Sequence, residues 1–447
     1  MSATSSPGIR WWLAAAAVHL VLLGLYHWPE AKVPLGDERM YLRAAAAVAE
    51  EGRSGLGSLW PPGYAWFLAP LLAWGGGAVW PVQLAQSALL VLAALLLRRI
   101  LRREIEDPRV GDLAALLVVA YPPLAAFAHF LWPEVLHLAL MLGAVAWLLH
   151  GRARATTAIG GGILLALALQ TKVLLLPFLV PLAAGLWLRW PPRRRLPLLA
   201  ALAVTVGLGV LPTVLAQQRD FGRPMLANSG LFNAWVGLND VSTNEFENPV
   251  IVAEYRRYMQ SARSPLRRDR ILRRKIATLV RERGPWTTLA GQLRRQYFRL
   301  FDRDSFLTQQ LAGGVVWARG DGYRSGGSLA ARWIAGLSRA SWAAVLPLAA
   351  LGIAIFPYRR RPFGWWVLGF LASQCALFLV LHVKTRYRVQ MLPAFFLFAA
   401  YAAVRLRDLW SRRRAASPLA DPPPVPAWRW ATGAALAGLL LFLAFGG

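Results

Sequence analysis

Eleven apolar runs constrain this chain more than any other feature. They lie near 11–28, 78–97, 111–130, 132–149, 157–170, 172–189, 196–216, 340–358, 363–382, 389–405 and 428–446. A helix of roughly 20 apolar residues crosses the hydrocarbon of a bilayer. A backbone in lipid must also satisfy its hydrogen bonds within its own segment. The predicted fold is therefore an all-α polytopic membrane protein with about 11 transmembrane helices. Composition agrees: 57% hydrophobic residues, a mean hydropathy of +0.42 and 21 tryptophans are more than a soluble core absorbs. The weakest boundary is Gln170-Thr171-Lys172, which divides 157–170 from 172–189. Arg10 precedes the first run and no small-residue cleavage site follows, so that run reads as an uncleaved helix.

Charge then sets the orientation. The formal charge is +28, but the basic residues punctuate the apolar runs, a pattern that argues for membrane anchoring and against nucleic-acid binding. With the N-terminus in the cytoplasm, every basic cluster faces inward. These are Arg98, Arg99, Arg102, Arg103 and Arg109; Arg152 and Arg154; Arg189 and Arg193 to Arg195; Arg359 to Arg361; and Arg405, Arg407 and Arg412 to Arg414. One miscounted helix would break the alternation, so count and orientation support each other. The C-terminal Gly446-Gly447 then lies outside. The single cysteine, Cys375, lies in an apolar run, which excludes an intrachain disulfide and a cysteine metal site.

The outer segments carry the polar information. The first, about 29–77, predicts two short helices on the membrane, 38–51 and 62–74, joined by a flexible link containing Gly52, Gly55 and Gly57. Pro61-Pro62 suits a helix start. The largest, about 217–339, holds 21 Arg or Lys against 10 Asp or Glu. Loops beyond about 60 residues escape the positive-inside rule. Within it, 265–283 and 286–301 read as amphipathic basic helices that lie on anionic headgroups or clasp an anionic acceptor. The competing reading is a small soluble cap held by its own ion pairs. Gly313-Gly314 and Gly326-Gly327 mark loops near its end, and 411–427 is a stiff proline-rich linker. Three units follow: an N-terminal transmembrane module over 1–216 with a catalytic first outer loop, an extracytoplasmic basic cap over 217–339, and a C-terminal transmembrane module over 340–447.

Gly36-Asp37-Glu38 places adjacent carboxylates just outside the first apolar run. The pair serves general-base or metal-assisted chemistry, or it is a solvated helix start with Asp37 as N-cap and Glu38 in the first turn. The same face should gather His129 and Glu134, which flank Leu131-Trp132-Pro133, then Lys172, and then His382, Lys384, Arg386, Tyr387 and Arg388. Ionisable groups at this depth are costly and tend to face an internal cavity. Three carboxylates and four fixed cations form the inventory of a site that activates a hydroxyl and holds a phosphate. Short outer loops should be poor in Lys and Arg, so 382–388 stands out; snorkelling to headgroups is its alternative. Glu134 fits a helix-dipole partner, a support for Arg or Lys, or a metal ligand. His129 reads as interfacial before it reads as a ligand. A divalent metal held by Asp37 and Glu38 stays open, although no spacing is a metal signature.

These same residues carry a family resemblance. Gly-Asp-Glu-x-x-Tyr-Leu-x-x-Ala at 36–45, Pro-Pro-Gly-Tyr at 61–64, Pro-Glu at 133–134, Thr-Lys at 171–172 and Lys-x-Arg-Tyr-Arg-x-x-x-x-Pro at 384–393 resemble the GT-C glycosyltransferase superfamily. The nearest branches are the protein O-mannosyltransferase-like and aminoarabinose-transferase-like enzymes. The likeness covers about 10–217 and 340–408, and leaves 217–339 unmatched. It implies an inverting hexosyl- or pentosyltransferase of the bacterial inner membrane. Such an enzyme moves a sugar from a polyprenyl-phosphate donor to an envelope glycan, lipid or protein on the extracytoplasmic face. It also implies roles: Asp37 as general base, Glu38 as its assistant or a metal ligand, and Lys172, Lys384, Arg386 and Arg388 on the donor phosphate. Tyr41, Tyr64, His129, Glu134, His382 and Tyr387 would support them. The prenyl chain would lie in an apolar cavity between helices.

Two other classes compete. A transporter or flippase of a lipid-linked glycan predicts inverted repeats and broken mid-membrane helices, and the sequence offers neither. A scaffold subunit would use the basic loop to bind partners.

Overall fold

The structure is a computed structural model, and it describes residues 9–27, 34, 36–239, 249–260, 265–304, 329–415 and 425–446. Every regular element among them is a helix. In chain order these are α1 (Ile9–His27), α2 (Asp37–Glu51), α3 (Gly63–Trp74), α4 (Trp80–Glu104), α5 (Pro108–Ala120), the short α6 (Pro122–Ala125), α7 (Glu134–His150), α8 (Ala155–Thr171), α9 (Leu179–Arg189) and α10 (Arg195–Phe221). Then come α11 (Gly230–Asn239), α12 (Pro249–Gln260), α13 (Pro265–Arg283), α14 (Pro285–Phe301), α15 (Leu329–Ile355), α16 (Phe363–Val380), α17 (Leu392–Ala415) and α18 (Ala427–Phe445).

Among the described residues six helical stretches are long and apolar enough to cross a membrane, and a seventh forms if the bent pair Pro108–Ala120 and Pro122–Ala128 counts as one span. The shorter apolar helices Trp12–His27, Glu134–His150, Ala155–Thr171 and Val173–Arg189 fall on the remaining four runs. Each of the eleven sequence runs thus coincides with a helix or a helix pair.

Three runs are less regular than periodicity alone predicts. The run 111–130 bends by 56° where Pro122-Pro123 follow Tyr121, because proline lacks an N–H and forces its predecessor out of helical geometry. This is a broken helix of the kind the sequence did not reveal. The runs after Lys172 and Lys384 begin as 3-10 turns, Val173–Phe178 and Thr385–Met391, before their α-helices start. Helix α15 starts at Leu329 rather than near 340. The doublets Gly313-Gly314 and Gly326-Gly327 lie outside the described residues, as does most of the linker 411–427.

The two ends of the bundle differ. At one end the basic loops meet: Arg109 binds Asp408 at 2.7 Å, Arg189 binds Glu104 at 2.9 Å, and Arg361 pairs with Glu106. At the other end the first outer loop packs on the breaks before α7, after α8 and before α17. The helices α11 to α14 cap it. Leu59 joins Trp235, Val236, Ile251 and Leu272 in one apolar cluster. Asn228 N–H donates to Ser58 O at 2.7 Å, and Gln217 donates to Gly57 O at 2.9 Å. The cap also holds internal ion pairs, Lys275–Glu254 at 2.6 Å and Arg223–Asp269. Arg267, Arg270, Arg273 and Arg274 on α13 stay exposed.

Candidate functional site

Helix α2 begins at Gly36, whose φ of +51° is a backbone state that favours glycine. Gly36 is the N-cap, so Asp37 and Glu38 are the first two helical residues and the expectation of an Asp37 cap is corrected. Helical geometry then sends the two carboxylates different ways. Glu38 is fully buried and accepts the Leu131 N–H at 3.1 Å. Asp37, with 28% of its side chain exposed, pairs with Arg386 at 2.6 Å.

Helix α3 brings in the second motif. A Cβ on Gly63 would lie 2.6 Å from Gln170 O, so only glycine lets the start of α3 touch the end of α8. That contact sets Tyr64 beneath α2. Tyr64 is buried, donates its hydroxyl to Gln86 at 2.9 Å, and meets Tyr41 edge-on at 4.9 Å between centroids. Gln86 in turn donates to Ala128 O and Phe130 O, at 3.3 and 2.7 Å. The polar face of α4 therefore pins the broken segment that carries Trp132 and Glu134.

Lys172 ends α8 and reaches Glu134 at the start of α7, at 2.9 Å. The carboxylate is 1% exposed and the ammonium 14%. Tyr387 lies between the two ion pairs: the Lys172 ammonium is 5.6 Å from its ring centroid and the Arg386 guanidinium 5.5 Å. Arg386 also lies 5.1 Å from the Trp132 ring. Asp37, Glu134, Lys172, Arg386, Tyr387 and Trp132 thus form one aromatic-walled cluster of alternating charge.

Burial alone would push the Asp37 carboxyl up, but the Arg386, Lys384 and Lys172 cations outweigh it and hold it below the usual carboxylate range. Burial and the neighbouring Asp37 charge push the Tyr41 phenol well up, so it stays a neutral hydroxyl. An ionised carboxylate, held by cations that a phosphate could also attract, can accept a proton and release an anion-binding group in one place.

Three sequence candidates lie elsewhere. Arg388 donates to Leu300 O and Asp302 O, at 3.2 and 2.5 Å, and stacks 4.3 Å from the Trp342 centroid. It ties the end of α14 to the bundle. The His382 ring lies 3.4 Å from Arg299, and its backbone N–H donates to Asn233 O at 2.9 Å, so it fastens the cap. His129 is buried rather than interfacial and shares a 3.2 Å hydrogen bond with His19.

Among the described residues no group of three or more His, Cys, Asp or Glu could hold a metal ion. Asp37 and Glu38 are engaged by Arg386 and by the Leu131 amide, and they do not converge as joint ligands. An apolar cavity of about 70 Å³ lies below the cluster, lined by Leu97, Met141, Phe178, Trp366 and Phe370 with Gln390.

Trp132, Gln86 and Gln83, which donates to His129 O at 3.2 Å, escaped the sequence reading. The glutamines had a signal, two amides three residues apart on one face of an apolar helix. Trp132 had only its place beside Pro133-Glu134.

The bundle, with a juxtamembrane helix pair after its first span and a cationic 3-10 hook before a late span, has an ArnT-like fold. The comparison that carries this is with the crystal structure of ArnT from Cupriavidus metallidurans, solved bound to undecaprenyl phosphate. It aligns with a TM-score of 0.50 and 15% identity over 97% of this chain and 70% of that chain. The likeness is one of fold. No family model matches the sequence, and no curated protein matches it.

Proposed function

We propose that the chain transfers a sugar from a polyprenyl-phosphate donor to an envelope acceptor on the extracytoplasmic face, with inversion at the anomeric carbon. One observation supports this most: the Asp37–Arg386 and Lys172–Glu134 pairs meet around Tyr387 at a single end of an ArnT-like bundle. The ArnT structure was solved with undecaprenyl phosphate, and a lipid phosphate is the ligand that this cation set suits.

The chemistry follows from the charges. Before the donor arrives, Arg386 neutralises Asp37. A donor phosphate competes for Arg386, Lys172 and Lys384, and the Asp37 carboxylate becomes more basic as its counter-charge is shared. The acceptor hydroxyl attacks the anomeric carbon, its proton passes to Asp37, and the bond from that carbon to the phosphate oxygen breaks with its electron pair on the oxygen. The cations stabilise the charge that develops there. Glu38 holds the Leu131 amide and fixes the loop that bears Trp132 and Glu134; Glu134 positions Lys172. Tyr41 and Tyr64 pack under Asp37. Arg388 acts here through the position of the 385–391 turn. With Asp37 and Glu38 engaged separately, no step needs a metal, and a chelator should leave turnover unchanged.

Single-turnover transfer with Asp37→Asn tests the assignment. Donor should bind near the wild-type affinity while transfer falls by about 10²–10⁴, the usual contribution of a general base. Transfer at the wild-type rate would remove Asp37 from the chemistry.

A further inference from the structure

The opposite end of the bundle holds a second charged feature that sugar transfer does not use. A cavity of about 450 Å³ is lined by Leu95, Arg98, Arg99, Arg102, Arg103 and His150. Its charge is unbalanced. Arg98 and Arg102 share one carboxylate, Asp112, at 2.6 and 2.9 Å. Arg103 donates to a backbone carbonyl, His150 O, at 3.5 Å. Arg99 has no acid partner among the described residues and is exposed. Neither ring nitrogen of His150 has a hydrogen-bond partner among the described residues, although both are buried. Four guanidiniums therefore face one carboxylate across a cavity that has donors to spare.

The surface leading to this cavity is apolar. Leu84, Leu92 and Leu95 are exposed at helical spacing on α4, and the stripe continues into Arg99 and Arg103. Trp147, 52% exposed, stands one turn before His150 on the adjoining α7. A row of lipid-facing aliphatic chains that ends in a cationic cavity matches a molecule with hydrocarbon tails and an anionic head.

We infer that Arg99, Arg103 and His150, backed by Arg98 and Arg102, bind the headgroup of an anionic phospholipid from the leaflet opposite the candidate active site. Its acyl chains run along Leu95 and Leu92. The excess of three positive charges, four arginines less Asp112, favours a headgroup with two phosphates over one with a single charge. Basic anchoring at a membrane face would need only the arginines. Four arginines gathered around one open cavity, with an imidazole whose ring nitrogens have no partner among the described residues, add shape and hydrogen-bond selectivity that anchoring does not require.

The test is native mass spectrometry of the full chain in detergent, titrated with cardiolipin, phosphatidylglycerol or phosphatidylcholine, with inorganic phosphate as competitor. Wild type should retain cardiolipin above phosphatidylglycerol and phosphatidylcholine, and millimolar phosphate should not displace it. Arg99→Gln with Arg103→Gln should weaken cardiolipin binding about thirtyfold, at the usual contribution of each basic residue near an anionic headgroup. Arg193→Gln with Arg194→Gln removes the same charge outside the cavity and should keep binding within about twofold. Equal losses in the two double variants would show unselective charge attraction and overturn the site. Displacement by phosphate, or no preference among the three lipids, would overturn it from wild type alone, whatever the variants' folding.

Discussion

The two ends of this bundle both concentrate charge, and they use it differently. At the end where the basic loops meet, the arginines of the pairs are partly exposed and join one loop to another. Arg109, 34% exposed, bridges Asp107 and Asp408, and Arg98 and Arg102 crowd Asp112. At the other end Asp37, 28% exposed, pairs with Arg386, 13% exposed, and the more deeply buried Glu134 pairs with Lys172. A buried pair is weak evidence of stabilisation, because desolvation offsets most of the attraction. An exposed pair at a loop contributes about 0–1 kcal/mol. Neither set is explained by stability alone. The difference is what surrounds them: aromatic walls around the paired charges of the candidate site, an open cavity with surplus cations at the opposite end.

That comparison can be broken in four places. The largest expected effect is Glu134→Gln, which leaves the Lys172 ammonium without its carboxylate in a buried site. Breaking such a pair costs about 3–5 kcal/mol, read from chemical or thermal unfolding in detergent. Lys172→Gln added to Glu134→Gln should recover most of that stability without recovering transfer. Recovery of both would make the pair structural only.

Arg386→Gln comes next. It removes a cation from the leaving phosphate and should lower transfer by about 10²–10³. It also moves a titration. The Asp37 carboxyl is held below its ordinary value, so it contributes stability above the unfolded value and loses that contribution as pH falls through the folded one. Without Arg386, the acid limb of the pH–rate profile should move to higher pH. An unmoved limb would mean that Asp37 does not set it.

Arg388→Gln should behave differently from Arg386→Gln although only two residues separate them. It frees Leu300 O and Asp302 O, and should cost about 1.5–3 kcal/mol of stability while the donor KM stays within about twofold. A large rise in donor KM would return Arg388 to the phosphate site. Arg109→Gln should be the smallest, within about 1 kcal/mol and without change in transfer.

Much of the fold was legible because membrane helices declare themselves by length and hydropathy. Helices α2 and α13 start or end within a residue of their expected bounds, since an acid-rich start marks α2 and a glycine follows the end of each. The bend at Tyr121–Pro122 was hidden inside a continuous apolar run, although Pro122-Pro123 signalled it. The candidate residues were gathered by which side of the membrane their loops face, and that argument cannot choose partners. It treated Arg386 and Arg388 alike, because alternation in a short loop says nothing about which side chain turns toward α2 and which toward α14. It could not see that Glu134 answers Lys172, because a sequence separation of 38 leaves no trace of the pairing. His129 failed for a similar reason: its partner, His19, belongs to α1.

The most direct test of sugar transfer is a donor panel. Purified protein in liposomes would receive polyprenyl-phosphate-linked hexoses and pentoses together with envelope extracts, and mass spectrometry would follow the free lipid phosphate and the sugar added to acceptor. One donor should yield lipid phosphate and glycosylated acceptor in equal amounts, and Asp37→Asn should yield neither. Movement of intact donor across the liposome membrane, with no lipid phosphate released from any member of the panel, would contradict the account and make the chain a transporter.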